Sequence, residues 1–101
     1  MVLVIGRVEC GAENREELVG LMEKMQEDSR GEEGCLRYGF FAAVEDPNSF
    51  VAVEEWADRE ALDAHFQQPH LQEFTRGLLE VVSSQPEVAI HEVASTSPFP
   101  R

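Results

Sequence analysis

The chain predicts an α+β fold of the ferredoxin-like kind: a βαββαβ order folded into a four-stranded antiparallel sheet with its helices on one face. Two observations point there. Hydrophobic periodicity alternates as strand, helix, strand, strand, helix, strand along the chain, and Asp46-Pro47-Asn48 is a turn signal that joins the middle two strands as a hairpin. Right-handed crossovers then leave few other ways to fold that order.

Taken in order, residues 2–10 carry Val2, Leu3, Val4, Ile5, Val8 and Cys10, a β-branched run expected to lie centrally in the sheet. Gly11-Ala12 breaks it. Asn14 is placed to cap a helix, with Glu17 returning the bond three residues on. Leu18, Leu21, Met22 and Met25 recur at one-face helical spacing, while Glu16, Glu23, Lys24 and Glu27 point away. Gly31 to Gly34 ends this helix. Cys35 to Val44 alternates as a second strand, with Leu36, Tyr38, Phe40 and Ala42 on one face and Arg37, Gly39, Phe41 and Ala43 on the other. Phe50 to Trp56 is the third strand. Asp58 caps a helix running to about Gln67, and Pro69 restarts helical structure after a kink. Leu71, Phe74, Leu78, Val81 and Val82 share one face of that continuation. Pro86 precedes a last strand over Val88–Val93, with Val88 and Ile90 opposite Ala89, His91 and Val93. The domain thus spans residues 1–94, and residues 95–101, Ser-Thr-Ser-Pro-Phe-Pro-Arg, form a flexible tail.

At 101 residues the chain makes one domain, and 43% hydrophobic with 28% charged residues is a globular composition. No apolar run reaches the ~20 residues of a membrane span, and the N-terminal strand lacks the basic lead of a signal peptide. A cytoplasmic location is expected. The net charge is −12, a field that repels phosphate backbones and anionic membranes, so neither nucleic acid nor membrane is an expected partner. Cys10 and Cys35 have no metal-type spacing. The first two strands of the predicted topology run parallel, which puts Cys10 at the end of one and Cys35 at the start of the other, too far apart for a disulfide.

Both faces of the strands are apolar: Val2 and Val4 against Leu3 and Ile5, Phe40 against Phe41, Ala52 against Val51 and Val53. Helices on one face leave the other bare, and a second identical sheet is its simplest cover. A homodimer through the open sheet face is expected.

Gly34-Cys35-Leu36-x-Tyr38, Glu54-x-Trp56, Ala61-Leu62-Asp63-Ala64-His65 and Pro69-His70 with Phe74 beyond resemble the antibiotic biosynthesis monooxygenase (ABM) domain family, part of the dimeric α+β barrel superfamily. The likeness covers roughly residues 2–93. It implies two chains with facing sheets and, in each, a pocket between sheet and helices. Members of the family oxygenate phenols, anthrones or quinols without a cofactor, degrade haem, or process small signalling molecules. Haem-degrading members use an asparagine on the first strand beside a tryptophan and a helical histidine. This first strand has no asparagine, so the resemblance favours a cofactor-independent monooxygenase of small or polycyclic aromatic substrates. A non-catalytic dimer binding a small aromatic ligand is the alternative, and haem binding a more distant one.

On that reading Trp56, Tyr38 and His65 carry the chemistry. A histidine suits general-base work near neutrality, a tyrosine hydroxyl can meet a ligand oxygen, and an indole can wall the pocket. Phe40, Phe66, Phe74, His70 and Arg76 are expected to bind substrate, with arginines (Arg7, Arg37 or Arg76) able to stabilise an oxyanion. Glu54 points with Trp56 and, if buried, needs His65 or an arginine as partner. His65 and His70 are five apart with Pro69 between them, poor spacing for one helical face, so no metal site is expected. No phosphate loop, flavin or nicotinamide fingerprint stands out, and no cofactor is expected.

Overall fold

The computed structural model describes residues 1–100; Arg101, the end of the expected tail, lies outside the described residues. Its elements run β1 (Val2–Glu9), α1 (Arg15–Arg30), β2 (Cys35–Ala42), β3 (Ser49–Trp56), α2 (Arg59–Phe66), α3 (Pro69–Val81) and β4 (Glu87–Glu92). The sheet order is β2-β3-β1-β4 and every neighbouring pair is antiparallel. This is the ferredoxin-like arrangement, with the second helical segment divided in two.

Period-two alternation decides which side chains meet the helices. Val2, Val4 and Val8 of β1 and Phe50, Ala52, Glu54 and Trp56 of β3 are buried under α1–α3, beside Leu18, Met22 and Met25 of α1 and Leu78 and Val81 of α3. Between α1 and α3, Gly77 permits close approach: a Cβ there would lie 3.0 Å from Leu21 Cδ2. The opposite face of the sheet carries Leu3, Ile5, Val51 and Val53 half-buried and Phe41 exposed.

Two details differ from expectation. A bulge between Cys35 and Arg37 shifts the β2 register, so Leu36 leaves the inner face and is 56% exposed. A single 3₁₀ turn, Ala12–Asn14, precedes α1, and the Asn14 side chain makes no capping bond because its backbone is already helical. Asp58 does cap α2, accepting the Ala61 N–H at 2.8 Å. The Asp46 turn closes through Asn48 N–H to Asp46 Oδ1 at 2.9 Å.

Strand β2 is an edge, and α1 satisfies it with side chains: Phe40 N–H donates to Gln26 Oε1 at 2.7 Å, and Arg30 Nε donates to the Tyr38 carbonyl at 2.9 Å. Cys10 and Cys35 are free. Beyond Ala94, residues 95–100 are exposed and belong to no helix or strand. No helix among the described residues is long and apolar enough to cross a membrane.

Candidate functional site

The polar centre of the molecule lies where β3, the α1–β2 loop and the α2–α3 junction converge. Strand alternation puts Glu54 and Trp56 on the inner face, two residues apart. Trp56 is fully buried, and its Nε1–H donates to Glu54 Oε1 at 3.0 Å. From α2, Leu62 and His65 point to the same interior. The His65 ring stacks at 4.6 Å from Trp56 and 5.7 Å from Tyr38, with Tyr38 edge-on to Trp56 at 6.4 Å.

The partner of His65 is Glu32, a loop residue that the sequence reading did not single out. Its Oε2 receives His65 Nδ1 at 2.7 Å and His70 Nε2 at 2.7 Å. A carboxylate only accepts, so both ring nitrogens donate, and the tautomer of each neutral imidazole is fixed. His65 Nε2 is then the unprotonated nitrogen, and it faces Glu54 Oε1 at 3.9 Å. The spacing argument against joint action of His65 and His70 fails for a plain reason: they sit on different helices. The chain leaves helical geometry at Gln68 (φ −73°, ψ 136°) before Pro69 starts α3, and this corner turns the two imidazoles toward one oxygen. The side chain of His65 is 2% exposed and that of His70 18%, so the cluster runs from the deep interior toward the surface.

Burial pushes the Glu54 carboxyl above its ordinary range, opposed by the Trp56 N–H, by His65 when its ring is protonated and by the Tyr38 hydroxyl. Burial, reinforced by the Glu54 charge, likewise raises the Tyr38 phenol far above its ordinary value. Tyr38 is therefore a hydrogen-bond donor and not a phenolate in this setting.

The other expected site residues divide. Phe40 lies 5.7 Å from Tyr38 and 5.6 Å from Phe74, extending the aromatic interior toward α3. Phe66 neighbours His65 at 6.2 Å but is 40% exposed, outside the interior. Arg76 stands exposed on α3, which gives its apolar face to the interior, and no contact joins it to the cluster among the described residues. The main grooves among the described residues do not open against Trp56. The interior is closed by ring-on-ring packing, and four surface grooves, of about 470, 720, 70 and 280 Å³, are lined by neither Trp56 nor His65. The 70 Å³ groove between α1 and α3 is lined by His70 and Phe74.

The model of the antibiotic biosynthesis monooxygenase family matches residues 1–77, which include β1 through α2 and most of α3. The chain belongs to this family. It is similar to an uncharacterised protein of Synechocystis sp. (34% identity, 94% of this chain), of whose length it spans 65%. It also resembles the Bacillus subtilis protein named "Putative monooxygenase YcnE", at 30% identity over 93% of this chain and 99% of that one. A crystal structure of an antibiotic biosynthesis monooxygenase superposes with a TM-score of 0.87 at 28% identity, covering 94% of this chain and all of the other. Family and relatives together support a monooxygenase-like function.

Proposed function

We propose that this ABM protein is a homodimeric, cofactor-independent monooxygenase of an electron-rich aromatic such as an anthrone or quinol. The observation that supports this is the Glu32–His65 bond. In the neutral ring it holds the proton on Nδ1 and leaves the Nε2 lone pair in the interior, between the Glu54 carboxyl and the Trp56 and Tyr38 rings, the arrangement of a general base fixed by a carboxylate. For an anthrone, His65 Nε2 takes a proton from the activated methylene carbon. The carbanion gives one electron to dioxygen, the two radicals join as a hydroperoxide, and loss of water leaves a carbonyl. One oxygen atom ends in the product and the other in water, with no external reductant. The Tyr38 hydroxyl serves as donor to the oxyanion of the enolate, and the low-dielectric surroundings exclude water.

Access requires movement, and α2 is suited to it: eight residues long, it is tied to the interior chiefly through Leu62 and His65 and is followed by the Gln67–Gln68 corner. Oxygen uptake with a panel of anthrones and quinols tests the reading. His65→Ala is expected to lower kcat/KM by about 10²-fold or more. An unchanged rate in that variant removes His65 from the reaction.

The filled interior favours a second reading of a different kind, in which the cluster is structural and the dimer binds a small aromatic without turnover. Saturable quenching of Trp56 fluorescence with no oxygen consumption across the panel would support it.

A further inference from the structure

We propose that Glu32, His65 and His70 form a binding site for a divalent transition metal of the zinc class. The ligand atoms are Glu32 Oε2, His65 Nδ1 and His70 Nε2, all within 4.8 Å of one another. Two imidazoles and one carboxylate are a set that zinc and its neighbours accept, with a fourth position left for water or a ligand. Donors around a tetrahedral ion stand about 3.3 Å apart, given metal–ligand bonds of ~2.0–2.2 Å. Both nitrogens are now 2.7 Å from the oxygen and within 4.8 Å of each other, so to admit the ion the Glu32 carboxylate retreats by about half an ångström and the partly exposed His70 ring swings toward His65. Glu32 belongs to the four-residue loop 31–34 between α1 and β2, where such a shift disturbs no helix or strand.

A second observation points to a cation. Two carboxylates, Glu32 and Glu54, are nearly buried here, with side chains 9% and 11% exposed. Among the described residues no lysine or arginine bonds to either: Glu32 meets His65 and His70, and Glu54 meets Trp56 and faces His65. Buried negative charge needs a counter-charge, and the overall charge of −12 draws cations toward the protein.

The surrounding shell fits as well. With the metal on Nδ1, His65 carries its proton on Nε2, facing Glu54 Oε1 at 3.9 Å. Trp56 holds that Glu54 oxygen in place at 3.0 Å. This is the carboxylate–histidine–metal arrangement that orients metal-bound imidazoles. His70 likewise moves its proton to Nδ1. Each neutral imidazole changes tautomer and no proton is released. The half-open His70 side lines the 70 Å³ groove between α1 and α3, which gives an ion its entry.

The site does not rest on the oxygenase reading, but the two interact. Metal on Nδ1 puts the proton on Nε2, and His65 can then no longer accept one. Zinc at site stoichiometry is therefore expected to inhibit any turnover that uses His65 as base.

The test is calorimetric titration of Zn²⁺ into the chelator-treated full chain without substrate. One ion per chain is expected. The partly exposed His70 can be replaced without hollowing the core, and His70→Ala is expected to weaken binding by more than the ~10–100-fold that loss of an outer partner causes. Glu32→Gln should do the same, with folding of both variants verified by circular dichroism. Co²⁺ added to the unaltered protein should give the strong visible bands of four- or five-coordination. Zinc binding equal in the parent chain and His70→Ala, or loss of binding in the exposed His91→Ala instead, would overturn the proposal. So would a Co²⁺ spectrum no stronger than that of the hydrated ion.

Discussion

At the scale of single residues, two buried polar groups make contrasting demands. The Glu54 carboxyl is raised by burial above its ordinary value of 4.5. A raised carboxyl holds its proton in the folded chain at a pH where the unfolded chain has released it. Its unfavourable contribution is therefore absent below about pH 4.5 and grows as pH rises toward the folded value. Glu54→Gln keeps an oxygen for the Trp56 N–H and removes the charge. Its melting temperature relative to the parent is expected to climb between pH 4 and pH 7, and a difference that shrinks over that range would show Glu54 to be stabilised as an anion. Ser29 on α1 is the opposite case. Its hydroxyl is fully buried and completes no hydrogen bond to protein, although it sits near enough to the Tyr38 phenol to lower it slightly. Ser29→Ala removes an unsatisfied group and adds a better helix former, so a gain of about 0.5–1 kcal/mol in urea unfolding is expected. A loss of stability would mean that the hydroxyl has a bonding role.

At the scale of elements, the placing of α2 over the sheet depends on one turn. Gly34 has φ +82°, a conformation that costs other residues about 1–2 kcal/mol, and a Cβ there would lie 2.5 Å from Ala61 Cβ on α2. Its carbonyl accepts the Ala57 N–H at 2.8 Å, tying the loop to the end of β3. Gly34→Ala is expected to cost at least about 2 kcal/mol in denaturant unfolding, since the strain of the turn and the displacement of α2 add. A cost below about 0.5 kcal/mol would show that α2 yields freely. These elements also mark what the sequence could tell. The strands, α1, the Asp58 cap and the break before Pro69 were legible because each is a local signal of period, cap or ring. The proximity of Trp56 and Glu54 followed from strand alternation alone. Glu32 was not legible: it lies 33 positions from His65 in a loop of acids, and only the tertiary fold distinguishes it from Glu33 beside it. The meeting of His65 and His70 was hidden for a related reason, since a spacing rule for one helix says nothing about two helices joined at a corner. Leu36 was misplaced because a bulge moves one side chain without leaving a mark in composition.

At the scale of the molecule, the proposed dimer follows from an imbalance between the two sides of one sheet. The helices cover one side. The other presents Leu3, Ile5, Val51 and Val53 half-buried with Phe41 57% exposed, an apolar face that no element of the chain covers. A two-fold pairing of these sheets would bury it without any new fold element, and would bring the exposed Leu36 of the bulge toward the seam. Charge does not oppose this, because the outer face also holds Arg37, which pairs with Glu55 at 3.4 Å, and Arg7. If the interface centres on this face, Phe41→Lys forces a hydrated charge into it. The dimer dissociation constant is then expected to rise by about 30-fold or more, as for a central anchor worth ~2 kcal/mol. Leu79→Lys, equally exposed at 63% but on the helical layer, should change nothing. Sedimentation equilibrium of the three proteins checks both expectations. A parent chain sedimenting at its single-chain mass at micromolar concentration removes the dimer, and a dimer weakened by Leu79→Lys and not by Phe41→Lys would move the interface to the helices.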